Sequence, residues 1–208
     1  MASRSCSTTP ARPLILRPPS SPTHLQTEER LAVESSQVVR ELFRYLTRHP
    51  DEEGALLPLY DAIREHVHQR RCLHEGRCPV VTAGALVVDE KNRLLRLWSG
   101  AKWAFVEGLP ESDDESLSAT ATRSLMEHTG IFDVWRMPDE DLPILIDVDE
   151  APAEYGPRMR FGFRYIFRAH SEAISRPRDP LSLRWVSVTE VSSPQLRAAL
   201  HTRFAAVS

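Results

Sequence analysis

The chain has 208 residues, a formal net charge of -3 and a 41% hydrophobic fraction, a balance ordinary for a globular chain of one medium domain with an appendage. No run approaches the roughly 18 consecutive apolar residues of a membrane span, and near-balanced charge gives no reason to expect a nucleic-acid scaffold. Three cysteines, Cys6, Cys72 and Cys78, are an odd number that argues against a disulfide framework and for a reducing compartment.

Residues 1–26 are rich in proline, serine and threonine, and the first acidic residue is Glu28. Such a stretch buries little and reads as a disordered tail in a cytoplasmic protein. Its basic, acid-poor character leaves organellar targeting as the alternative. Residues 27–79 read as a helical extension and linker. Leu31, Val38, Val39, Leu42, Phe43 and Leu46 recur at helical spacing and predict a helix over Glu28–Thr47, stopped by Pro50. Leu59, Ile63 and Val67 predict a second helix over Leu56–Gln69, joined to the first by the acidic loop Asp51–Glu53. Alone, this hairpin is marginal. It must pack on the following domain or on a second copy of the chain, and apolar Val38, Val39 and Phe43 make a homodimer through these helices the expectation if they are exposed. In the linker, Cys72, His74 and Cys78, with His66 and His68 nearby, are a zinc alternative lacking tight cysteine spacing. Nothing in the sequence fixes a histidine and an acid in the geometry that would make Cys72 or Cys78 a nucleophile.

From Val80 the pattern changes. Val80–Val88 predicts a strand, Asp89–Asn92 a hairpin turn and Arg93–Trp98 the returning strand. Trp103 and Phe105 form a short strand, and Gly108–Asp114 a polar loop. Glu115–His128 is the strongest helix of this half, with Leu117, Ala121 and Leu125 as its buried stripe and Gly130 as its stop. Short strands are predicted at Ile131–Val134 and Leu142–Ile146, then an acidic loop at Asp147–Pro157. Phe161, Phe163 and Tyr165 alternate with Arg160, Gly162 and Arg164 in a strand over Arg160–Phe167. Ser182–Val188 is a last strand and Val191–Ala205 a helix with Pro194 in its first turn. The fold class is therefore α+β: a mixed sheet sandwiched by helices, over residues 80–208.

On the central helix, Arg123 and Glu127 share one face, and Ser124 and His128 lie beside them. Read alone, this is a surface ion pair and a terminal histidine. The stretch nevertheless resembles the box of the Nudix hydrolase family. Glu115, Arg123, Leu125, Glu127, Gly130 and Ile131 fall in that register, and Trp103, Gly108 and Glu111 match the tryptophan, loop glycine and acid upstream. The resemblance extends to the opening strand Val81–Asp89 and the late strands Arg164–Arg168 and Arg184–Glu190.

The resemblance implies a divalent cation, Mg or Mn, held by clustered carboxylates beside a pyrophosphate. Here that cluster is degenerate. Ser124 stands for the first acid and His128 for the last, Val106-Glu107 replaces Pro-Gly, the loop is one residue longer, and the segment around Arg160 and Gly162 lacks the acids or histidines of close relatives. Residual metal ligands would come from Glu127, Glu111 and Glu115.

Three readings stay open. In the first, an atypical enzyme acts on a small phosphorylated or nucleotide-like metabolite, with Glu127, His128 and Glu107 as acid–base groups and Arg123 orienting them. In the second, substitute ligands sustain Mg-dependent pyrophosphohydrolysis of a nucleoside diphosphate-linked substrate. In the third, the domain binds a ligand without turnover. In each case the partner is a small molecule, with Trp103 as a stacking surface and Glu111 and Arg160 as ligand contacts. Of Arg160, Arg164, Arg168 and Arg184, most are expected in solvent, with one or two facing the cleft.

Overall fold

The computed structural model describes residues 37–69, 78–99, 102–136, 141–175 and 182–205. The predicted disordered tail, the first part of the first helix and most of the Cys72–Cys78 segment lie outside these residues. Cys78 itself is disulfide-bonded. This corrects the expectation of free thiols and removes Cys78 as a nucleophile or thiolate ligand in that state.

Two helices lead. Helix α1 (37–48) is followed by a 3-10 turn at Pro50–Glu52, which runs directly into α2 (Glu53–Gln69). The acidic residues expected in a loop thus open a helix, where carboxylates complement the unpaired backbone N–H groups. Val38, Leu42 and Tyr45 from α1 and Leu56 and Leu59 from α2 are buried in the main core, so the hairpin packs on the domain. Val38 therefore does not contribute to a dimer face, whereas Phe43 is exposed and meets Tyr60 edge-on at 5.8 Å.

Strand β1 (Val80–Val88) organises the sheet. It runs parallel to β6 (Met159–Arg168) over nine register pairs, from Val80↔Arg160 to Val88↔Arg168. Strand β5 (Leu145–Glu150) pairs antiparallel with the outer side of β6. On the other side of β1, β4 (Val106–Gly108) covers the Ala83–Ala85 stretch, whereas β2 (Leu94–Ser99) joins only at Val88↔Leu94. Strands β3 (Lys102–Ala104) and β7 (Leu183–Val186) flank β2. The sheet therefore divides at β1 into a limb β4-β1-β6-β5 and a limb β3-β2-β7.

Period-two alternation gives this sheet two different faces. Ala83, Ala85, Val87, Phe161, Phe163 and Tyr165 point to one side, under α1, α2 and the stripe Leu117, Ala121 and Leu125 of α3 (Leu117–Thr129). Leu86, Val88, Leu94, Ile166 and Val186 point to the other, beneath Leu196 and Leu200 of α4 (Pro194–Ala205). That second face is only partly covered by apolar groups. Beyond them it carries Thr82, Gly84, Arg160, Gly162 and Arg164.

Two expectations are overturned here. Ile131–Val134 is not a strand; this stretch contributes only the isolated bridge Trp135↔Arg168. The strand expected at Leu142–Ile146 lies later, at Leu145–Glu150, so Asp147 and Asp149 belong to β5 rather than to a loop. Ile146 and Val148 alternate with them, and the acids occupy the polar side of that period.

Candidate functional site

Helix α3 starts where Ser116 caps it, its hydroxyl accepting the Ala119 N–H at 3.1 Å. It ends at Gly130, which takes a left-handed conformation, φ 72°. Between these ends Arg123 gathers the surrounding acids. Its guanidinium donates to both Asp114 oxygens at 3.0 and 2.9 Å and to the Leu109 carbonyl at 2.8 Å. It also lies 3.4 Å from Glu111 and 3.2 Å from Glu127. Burial alone would raise the Asp114 carboxyl, but hydrogen bonds from Arg123, the Glu111 N–H and the Thr120 hydroxyl outweigh it and hold the group below its ordinary value. Asp114 is the acid that holds Arg123 most closely, whereas the sequence points to Glu127, one turn away, as the arginine's partner.

Ser124 lies on the buried side of the same helix. It is 1% exposed, and its hydroxyl has no hydrogen-bond partner among the described residues. It is pressed against Gly108, where a Cβ would collide with its Oγ and stand 3.1 Å from its Cβ. The glycine thus lets the β4 backbone approach α3 closely. His128 is exposed at the helix end, with Nδ1 2.8 Å from the Ser124 carbonyl oxygen.

Glu107 sits on the opposite side of the sheet. Its neighbours Val106 and Gly108 face α3 and the main core, so Glu107 points to the α4 side. There its Oε2 accepts from Arg160 Nη1 at 2.8 Å and lies 2.8 Å from Arg164 Nη2. Arg160 Nη2 also donates to Asp147 at 2.8 Å and Asp149 at 2.7 Å. Arg164 clasps Asp147 with Nε at 2.8 Å and Nη2 at 3.0 Å. Three carboxylates thus enclose two guanidiniums, leaving one net negative charge. Burial would depress the Arg164 pKa, but Glu107 and Asp147 more than offset it and raise it; burial would raise Asp147, but Arg164 and Arg160 hold it low.

Glycines make room for this network. Arg164 lies across Gly84 and Arg160 across Gly162, where a Cβ would stand 2.6 Å from Arg160 Nη1 and 3.1 Å from Asp147 Cγ. Of the four strand arginines expected mostly in solvent, Arg160 and Arg164 are instead buried, each 7% exposed, with their guanidiniums held by these acids.

The predicted site residues therefore divide into two groups. Arg123, Glu127 and Glu111 meet on the α3 side. Glu107 and Arg160 meet on the α4 side, the side that also carries Trp103. The expected acid–base trio of Glu127, His128 and Glu107 is not assembled in one cleft. The expected metal ligands fare no better as a set. Glu111 and Glu127 share Arg123, Glu115 is exposed, and among the described residues no three His, Cys, Asp or Glu side chains are grouped to hold a metal ion. The donor chemistry does not fit a hard divalent cation, which needs several free oxygen ligands.

The NUDIX domain family model matches residues 79–206. In structure the chain is similar to an Ap4A hydrolase from C. elegans, at 13% identity and TM-score 0.45, over 62% of this chain and 98% of that one. It is similar to a MutT protein from Methanosarcina mazei Go1 at 16% identity and TM-score 0.43, over 64% and 97%. A NUDIX-family hydrolase from Clostridium perfringens aligns at 14% identity and TM-score 0.45, over 62% and 97%. No match was found among curated proteins.

Proposed function

The chain belongs to the NUDIX domain family, and from that premise we propose that it binds a small phosphorylated, nucleotide-like metabolite on the α4 side of its sheet, without a divalent-cation cluster. One observation carries this reading: the acids of both groups are engaged by arginine. Arg123 takes Asp114, Glu111 and Glu127, while Arg160 and Arg164 take Glu107, Asp147 and Asp149. A guanidinium is permanently charged and matches carboxylates in a bidentate fork, so these acids are already engaged from within the chain. A magnesium ion would have to displace those contacts and would still find Ser124 where a carboxylate is required.

The separation of Glu107 from Glu127 and His128 favours binding over acid–base turnover, because proton transfer needs groups within hydrogen-bond reach of one substrate. Calorimetric titration of the full chain with nucleoside mono- and diphosphates and nucleoside diphosphate-linked compounds, in EDTA, tests the reading. Saturable binding that EDTA leaves unchanged, without product release when Mg²⁺ is added, is the expected result. Mg²⁺-dependent product formation that vanishes in E127Q would overturn it in favour of metal-dependent pyrophosphohydrolysis.

A further inference from the structure

Strands β2 and β7 place Arg96 directly opposite Arg184 in register. Like charges facing each other across a strand pair repel, and among the described residues neither guanidinium has a carboxylate within ion-pair distance. Each lies instead on an aromatic ring. Arg96 sits over Phe105 with its centre 4.8 Å from the ring, and Arg184 sits over Trp103 at 4.3 Å. Arg96 Nη2 donates to the Trp103 carbonyl, which fixes its plane, while its buried Nε has no partner among the described residues. Arg184 is exposed, and exposed Trp98 meets Trp103 edge-on at 5.3 Å.

The rings therefore hold two cations side by side without neutralising them. Burial and the neighbouring Arg184 charge both lower the Arg96 pKa, with only Glu190 opposing them. The pair lies on the same side of the sheet as Glu107, because Phe105 packs against the core beneath α4. Glu107, Asp147 and Asp149 on that side are engaged by Arg160 and Arg164, whereas among the described residues no carboxylate forms an ion pair with Arg96 or Arg184.

We propose that Arg96 and Arg184 form a clamp for the phosphate group of the ligand, with Trp98 and Trp103 forming the wall beside it. A phosphate monoester or diphosphate supplies several oxygens to two forked donors and relieves their mutual repulsion. The inference deepens the binding reading above and rests on the same side of the sheet being the ligand face.

Tryptophan fluorescence of the full chain in EDTA, titrated with inorganic pyrophosphate, ADP and adenosine, tests the clamp. The variants are R184Q, whose side chain is exposed, and R64Q, a remote control with a half-exposed helical ion pair. R184Q is expected to weaken pyrophosphate and ADP at least tenfold, leave adenosine unchanged and keep or raise the melting temperature. R64Q is expected to bind like the unmodified chain. ADP binding that R184Q leaves intact overturns the clamp while sparing the ligand-face reading. Pyrophosphate binding that R184Q weakens, with no nucleotide bound at all, supports the clamp and overturns that reading. Equal losses in R184Q and R64Q, or no pyrophosphate binding by the unmodified chain, overturn the clamp.

Discussion

Arg160 Nη1 and Glu107 Oε2 stand 2.8 Å apart although 53 residues separate them in the chain. One lies on a three-residue strand and the other on the longest, so strand pairing alone brings them together. Removing either half alone leaves charge stranded on a mostly buried surface, a loss of about 3–5 kcal/mol for fully buried pairs and less here because Glu107 is partly exposed. In a urea-unfolding cycle, E107Q and R160Q should each destabilise. The double variant should lose clearly less than the sum. Additive losses would mean that the pair is not coupled.

Gly108 and Ser124 give a second, steric prediction. A Cβ at position 108 would collide with the Ser124 hydroxyl, so G108A should cost about 1–3 kcal/mol, the range for overpacking a filled site. Removing the hydroxyl in S124A should restore part of that stability when combined with G108A, and calorimetric melting reads both. By the same contact, S124E should fail to rebuild a metal ligand and should destabilise the chain.

Acid stability should depend on Asp147 and Asp114. Both are held below their ordinary values in the folded chain. Their contribution is therefore present above the unfolded carboxyl pKa of about 3.9 and is lost as pH falls through the lower folded values. The melting temperature of the unmodified chain should drop steeply below about pH 4. D147N should be less stable at neutral pH and show a shallower acid slope. Identical slopes in the two proteins would contradict this.

Glu41 acts in the opposite sense. It is 5% exposed, one of its oxygens has no partner, and burial raises its pKa despite Arg44 and Arg40. A raised carboxyl contributes stability below its unfolded pKa, and that contribution is lost as pH rises through the folded value. E41Q should therefore stabilise the chain at neutral pH, by about 1 kcal/mol, with the gain shrinking toward pH 4. Melting curves across that range measure it.

Much of the fold is legible in the chain because its strongest signals are local. The run Val80–Val88, the turn at Asp89 and the helix ending at Gly130 each lie within one segment and recur in the structure. The box register over Glu115–Ile131 is legible for the same reason. The side of the sheet that Glu107 faces is not, because a three-residue strand is too short to display a period; its direction is set by pairing with Gly84, far upstream. Asp147 and Asp149 were hidden by composition: an acidic, proline-bounded stretch reads as loop until Arg160 and Arg164 supply the charges that let it pair as a strand. The pairing of Asp114 with Arg123 was not legible because it reaches nine residues, from just before the Ser116 cap into the third turn of α3, beyond the three- and four-residue spacings that pair side chains on a helix.

Direct titration of the full chain with Mn²⁺, following the electron paramagnetic resonance signal of the free ion, tests the central claim. Arginine-clamped acids should leave that signal unchanged at protein concentrations equal to the metal, in the unmodified chain and in E127Q alike. Stoichiometric, saturable loss of the signal that E127Q abolishes would show that the carboxylates of α3 hold a divalent cation and would contradict the account.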